Sequence, residues 1–124
     1  MLPDKFLRVL EHEGVVAIVT QEATGLPHLV NTWNSYIQIT ADEQLVIPAG
    51  GMCTTEKNLS RNNAVLLSMG SRDVEGKRGP GAGFLITGTA EFLYAGTEFD
   101  LIKSKFPWAR AALKVAITDI TQTL

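Results

Sequence analysis

The sequence predicts a mainly β fold: a closed antiparallel barrel of six strands with short peripheral helices. Three observations predict it. Six segments rich in Val, Ile, Thr and aromatic residues recur along one short chain. The alternation of strand and helix that builds a doubly wound parallel sheet is missing. The helical patterns that do occur lie at the margins, and closing the sheet protects strand edges that would otherwise pair with other chains.

Residues 3–12 read as an amphipathic helix, with Pro3 suited to a first turn, Asp4 complementing the dipole, and Phe6, Leu7 and Leu10 on one face. Gly14 stops it. Val15–Val19 is short, β-branched and apolar, which favours a buried strand. Thr24-Gly25-Leu26-Pro27 is turn chemistry. His28–Ile39 is the second strand, polar in its middle at Asn31, Asn34 and Ser35. Ala41-Asp42-Glu43 turns the chain into Leu45–Pro48, where a proline that cannot donate to a ladder ends the pairing. Residues 54–62 are polar with helical spacing, and Thr54 or Thr55 is placed to cap them. Ala64–Met69 is the fourth strand and Gly70–Gly83 a long, charged, glycine-rich loop. Phe84–Tyr94 is a fifth strand whose alternation implies one wet face. Residues 97–112 form one or two helices broken at Pro107, and Val115–Ile120 is the sixth strand.

At 124 residues the chain is a single domain, 1–124, large enough to bury a core without a disulfide or metal. With 45% hydrophobic and 19% charged residues it is too apolar to be disordered. Eleven Lys+Arg against thirteen Asp+Glu give a net charge of −2, which excludes nucleic-acid binding through bulk charge. Cys53 is the only cysteine, so an internal disulfide and a multi-thiolate zinc site are excluded. The start, MLPDKFLRVLEHEG, is charged and lacks an apolar signal core, and no apolar run approaches the ~18 residues of a membrane helix. A cytoplasmic protein with no membrane or nucleic-acid partner is the expectation.

Several motifs fail on spacing. Gly79-Pro80-Gly81-Ala82-Gly83 lacks the dinucleotide fingerprint and precedes a strand rather than opening a helix. There is no GxxxxGK[ST] and no serine nucleophile elbow. His12 and His28 have no ligand-spaced partners, which gives no metal site. Nothing local marks a base to activate Cys53, which reads as inert.

Two segments remain that a purely structural chain does not explain. Asn31-Thr32-Trp33-Asn34-Ser35-Tyr36 puts amides, hydroxyls and aromatics into a strand. Pro48-Ala49-Gly50-Gly51-Met52-Cys53-Thr54-Thr55 ends a strand in paired glycines, then hydroxyls at a helix start. Glycines allow close backbone approach to a planar ligand, and free N–H groups at a helix start suit a phosphate. Singly, Trp33 reads as a core residue, Gly50-Gly51 as a turn and Thr54-Thr55 as a cap. Together they favour a phosphorylated aromatic ligand.

The strings VVAIVTQ, PHLVNTWNSYI, VIPAGGM, GSR, GPGAGFLI, WARAAL and QTL lie between Val15 and Leu124. In them the chain resembles the small FMN-binding proteins of sulfate-reducing bacteria, within the flavin-reductase-like and pyridoxamine-phosphate-oxidase-like split barrels. The resemblance implies a six-stranded Greek-key split barrel and a homodimer with one FMN per subunit near the interface. By position, it implies that Asn31, Thr32, Ser35 and Thr55 contact phosphate or ribityl groups, that Pro48, Ala49, Gly50 and Gly51 bed the isoalloxazine, and that Trp33 and Tyr36 flank it. Trp108 and Leu124 would reach toward the ring of the partner subunit, and Glu13 would act on the flavin electrostatically. In one respect the chain departs from the family pattern: Cys53-Thr54 stand where relatives have His-Lys before Thr-Glu. Thr54 offers the phosphate only a neutral hydrogen bond, about half as strong as a charge-assisted one. Lys57 or Arg61 would have to compensate, and FMN binding is expected to persist more weakly.

The implied function is electron transfer by bound FMN with an unidentified redox partner protein. The rival on the same barrel is a flavin reductase or oxidase, for which the sequence shows no nicotinamide fingerprint. A non-redox binding module is the other rival. Lys77-Arg78 is too small a basic cluster for an oligonucleotide reader, which needs a basic aromatic face.

Overall fold

The computed structural model describes residues 1–124. The elements in chain order are α1 (Asp4–Leu10), β1 (Val15–Gln21), β2 (Pro27–Trp33), a 3₁₀ turn (Asn34–Tyr36), β3 (Gln38–Ile39), β4 (Leu45–Ala49), α2 (Cys53–Arg61), β5 (Ala64–Glu75), β6 (Pro80–Leu93), α3 (Thr97–Lys105) and β7 (Ala111–Gln122). The seven strands form one antiparallel sheet in the order β2-β1-β5-β6-β7-β4-β3.

That order forces the sheet to curl. Its two edge strands, β2 and β3, are successive in the chain. Six interstrand steps of ~4.8 Å would set them about 29 Å apart in a flat sheet. The five Cα–Cα steps from Trp33 to Gln38 reach at most ~19 Å. The sheet therefore wraps round until its edges meet at the 3₁₀ turn, leaving a seam between β2 and β3: a split barrel.

One large cluster fills the barrel, drawing Val16 and Ile18 from β1, Leu45 and Ile47 from β4, Leu67 from β5, Ile86 from β6 and Leu113 from β7. α1 adds Phe6 and Val9, both fully buried, and Phe6 meets Phe84 edge-on at 5.6 Å between centroids. A satellite of Val46, Ile102, Ala109 and Ala112 seats α3 against β4 and β7.

The structure departs from the sequence expectation at several places. There are seven strands, not six, because His28–Ile39 is not one strand: the chain turns at Asn34–Tyr36 and resumes as β3. Asn34 explains the break. It is fully buried, and its Nδ2 donates to the carbonyls of His12 at 2.9 Å, Gly70 at 3.2 Å and Val9 at 3.3 Å. Gly70–Gly83 is not a long loop. β5 runs on to Glu75, β6 starts at Pro80, and a bulge at Arg72–Val74 absorbs the extra residues. Gly70 and Gly76 serve close strand approach, since a Cβ would lie 2.9 Å from the Ala82 carbonyl and 1.9 Å from that of Gly81. Residues 111 and 112 are not helical. Ala111 and Ala112 open β7, pairing with Ala49 and Pro48, so Pro48 does not end the pairing: β4 runs past it to Ala49, whose carbonyl accepts from the Arg110 N–H at 2.8 Å. Finally, Trp33 is not core: it is 44% exposed on the outer face of β2.

Candidate functional site

The expected binding residues collect along the seam and at the end of β4. Ser35 and Tyr36 lie in the 3₁₀ turn, and Pro48 and Ala49, both buried, end β4. Gly50 and Gly51 are exposed. A Cβ on Gly50 would lie 3.1 Å from Trp108 Cε3, whereas one on Gly51 would meet nothing within 4 Å. The paired glycines thus leave a flat backbone shelf that one indole already approaches. Trp108 is 52% exposed and packs against Tyr36 (5.7 Å between centroids) and Phe106 (5.8 Å) of its own chain. Leu124 does not join this group. It lies against Gly83 and lines, with Glu13, Gly70 and Arg72, a separate cleft of about 590 Å³.

The shelf leads directly into the first turn of α2. Met52 adopts a left-handed conformation (φ 59°) that is uncommon outside glycine and aims the start of the helix. No side chain caps this helix. Its first internal bond is from Glu56 N to the Met52 carbonyl, 2.9 Å. The N–H groups of Cys53, Thr54 and Thr55 lie ahead of it, the end of a helix that attracts anions. Thr55 is fully buried and its Oγ1 has no hydrogen-bond partner. A buried hydroxyl without a partner costs roughly 1–3 kcal/mol unless a ligand meets it. The glycine shelf fits a flat ring, and the α2 turn with its orphan hydroxyl fits an anion.

The strand residues are divided by the pleat. Asn31 and Trp33 face outward on β2, while Thr32 is buried on the inner side. Thr54 is exposed at the second position of α2. Of the two cations expected to help at this turn, Lys57 is exposed on α2 and Arg61 is held at its far end, donating to the Gln21 carbonyl at 2.5 Å. The cation that does touch the turn escaped the sequence reading. Arg110 donates from Nε and NH2 to the Gly51 carbonyl (3.0 and 2.8 Å) and pairs with Glu56 at 3.0 Å. Its only sequence signal is one charge inside the small-residue run Ala109-Arg110-Ala111-Ala112.

Glu13 accepts from the Ser35 hydroxyl at 2.7 Å, from the Ser35 N–H at 3.2 Å and from the Gly14 N–H at 3.2 Å. The Ser35 hydroxyl bond, helped by the two N–H bonds and opposed by partial desolvation, holds its carboxyl below the ordinary 4.5. Because the folded pKa is lowered, the stabilisation is fully present above the unfolded value and is lost as pH falls through the lower folded one.

The fold and site place the chain in a class, and comparison with known proteins gives it a family: it belongs to the pyridoxamine 5'-phosphate oxidase family, matched over residues 2–123. It is 52% identical, over all 124 residues and the full length of both chains, to a protein named FMN-binding protein from Nitratidesulfovibrio vulgaris (strain DSM 19637 / Miyazaki F). Among solved structures it resembles HupZ of Group A Streptococcus, with TM-score 0.82 at 15% identity, covering 99% of this chain and 94% of that one. It also resembles an FMN-binding protein from Syntrophomonas wolfei subsp. wolfei, with TM-score 0.76 at 14% identity, covering 98% and 85%. At those identities the two structures bear on the fold alone. No helix is long and apolar enough to cross a membrane.

Proposed function

We propose that the protein binds FMN non-covalently and serves as a small electron-transfer flavoprotein. The observation that carries this is the continuous path from the Gly50-Gly51 shelf to the uncapped first turn of α2, where Thr55 Oγ1 is buried without a partner. The 52% identical relative named for FMN binding supports it. When bound, FMN supplies the one- and two-electron redox chemistry, and the protein supplies binding, orientation and electrostatics. Pro48–Gly51 would bed the ring, Tyr36 and Trp33 would border it, and Thr54, Thr55 and the α2 N–H groups would hold the phosphate. Asn31, Thr32 and Ser35 would contribute contacts from the seam. The test is uptake of FMN by apoprotein, followed by assay of the holoprotein. Steady consumption of NAD(P)H or oxidation of an amine would favour the oxidase or reductase reading that the family name also allows.

Glu13 would then place a fixed negative charge near the flavin, disfavouring its anionic reduced form. Glu13→Gln is expected to raise the reduction potential by tens of millivolts, on the scale of ~59 mV per tenfold bias for one electron. Since Ser35 keeps the carboxyl ionised, the difference from the unmutated protein should persist into mild acid. An unchanged potential in electrochemical titration contradicts the assignment.

We also propose a homodimer, in which Leu124 approaches the partner's flavin; Trp108, which meets Gly50 and Tyr36 of its own chain, is assigned beside its own ring instead. The outer face of β2, β1 and β5 supports a self-pairing surface. Val19 lies opposite both Leu29 and Leu66, and Val15 opposite Trp33. Val15, Leu29, Trp33 and Leu66 are all exposed, and the positions between them, Ala17, Asn31 and Ser68, carry no charge. Contiguous uncharged apolar rows of this kind mark interfaces. Leu66→Glu should halve the molar mass measured by light scattering at micromolar concentration. An unaltered mass would move the interface elsewhere.

A further inference from the structure

Arg110 lies at the turn into α2 with its donors turned onto the protein. It has five N–H donors in a planar fork. Four are engaged: two on the Gly51 carbonyl, one on Glu56 Oε1 at 3.0 Å and one on Glu56 Oε2 at 3.4 Å. Its own N–H donates to the Ala49 carbonyl at 2.8 Å, and its guanidinium lies 5.6 Å from the centre of the Phe92 ring. The Tyr94 hydroxyl holds Glu56 from the other side. The consequences fall on α2. The Gly51 carbonyl stands just before the left-handed Met52, and the two bonds from Arg110 fix the turn that leads into the helix. Glu56, the one acid of the first turn, is the group best placed to compete with an incoming anion, and Arg110 and Tyr94 hold it aside.

We propose that Arg110 is the positioning residue of the phosphate site. By anchoring the Gly51 carbonyl and holding the Glu56 carboxylate aside, it fixes the turn that presents the free N–H groups of α2 to the phosphate monoester of FMN and offsets the acid beside them. This role rests on the FMN reading.

The sign of two charge changes separates this role from a merely structural one. Riboflavin has the same ring and ribityl chain as FMN without the phosphate, so the ratio of the two affinities isolates the phosphate site. Arg110→Gln frees Glu56 to oppose the phosphate and should lower the FMN-over-riboflavin preference on the order of tenfold, the worth of one charge-assisted bond. Arg110→Lys should not restore it, because an ammonium cannot bridge the Gly51 carbonyl and both carboxylate oxygens at once. Glu56→Gln leaves the fork on Gly51 and uncovers the arginine charge, so the preference should hold or rise. Titration of each apoprotein by flavin fluorescence, with melting curves to verify folding, reads all of these. An unchanged ratio in Arg110→Gln, or an equal fall in Glu56→Gln, overturns the proposal while leaving FMN binding intact. Unmutated protein that takes up neither flavin overturns both.

Discussion

Gly50→Val is expected to weaken FMN binding a hundredfold or more while leaving the fold in place. The backbone of Gly50 is not in the left-handed region, so valine is sterically permitted there. Its Cβ, however, would sit 3.1 Å from Trp108 Cε3 and 3.2 Å from Cζ3, closer than ordinary van der Waals contact. The indole is half exposed on a connecting segment and can yield, so the melting temperature should change little. The shelf cannot yield: the γ-methyls would push the Trp108 indole off Gly50 and into the space over the Gly50-Gly51 backbone in which the ring must lie. Gly51→Ala makes the comparison. Its Cβ would meet no protein atom within 4 Å, so any loss of affinity there reports contact with the ligand alone. Apoprotein titration and a melting curve for each variant check this. Full FMN affinity in Gly50→Val would place the ring elsewhere.

Asn34→Ala is expected to cost about 2–3 kcal/mol of stability, roughly 10 °C in melting temperature for a domain of this size. Asn34 joins three elements at the seam. Its amide donates to the end of α1 through Val9 and His12 and to β5 through Gly70, and its N–H donates to the Gly14 carbonyl at 2.9 Å. Alanine removes the donor to the partly buried His12 and Gly70 carbonyls, while the Val9 carbonyl keeps the His12 N–H at 3.1 Å. The loss is moderated because Asn34 Oδ1 itself has no partner and its removal relieves one unmet acceptor. Asn34→Asp should be worse at neutral pH, since a carboxylate would face three carbonyl oxygens. Thermal unfolding followed by circular dichroism measures both, and an Asn34→Ala melting point equal to that of the unmutated protein contradicts the account of how the barrel closes.

Asn34 also shows where sequence reasoning reached its limit. Its polarity within an apolar stretch was visible, and so was the helix-start chemistry at Thr54-Thr55. The break itself was not, because three acceptors from residues 9, 12 and 70 fix it, and those come together only in the fold. The Gly70–Gly83 stretch misled for a related reason. Glycine there serves strand proximity at Gly70 and Gly76 and positive φ at Gly79 and Gly81 rather than flexibility, and composition alone does not distinguish these. Ala111 and Ala112 carry helix propensity, but pairing with β4 overrides it. Trp33 alternated as a core residue should, yet the register of β2 against β1 turned it outward. The shelf at Gly50-Gly51 was legible because its chemistry is local. Arg110 was not, because it reaches the shelf from 59 residues away in sequence.

The most direct measurement is a parallel titration of the purified apoprotein with FMN and with riboflavin, read by quenching of flavin fluorescence. A glycine shelf joined to an uncapped helix turn with a buried orphan hydroxyl predicts uptake of one FMN per chain, with riboflavin bound at least tenfold more weakly. Riboflavin bound as tightly as FMN, or no uptake of FMN at all, would contradict it.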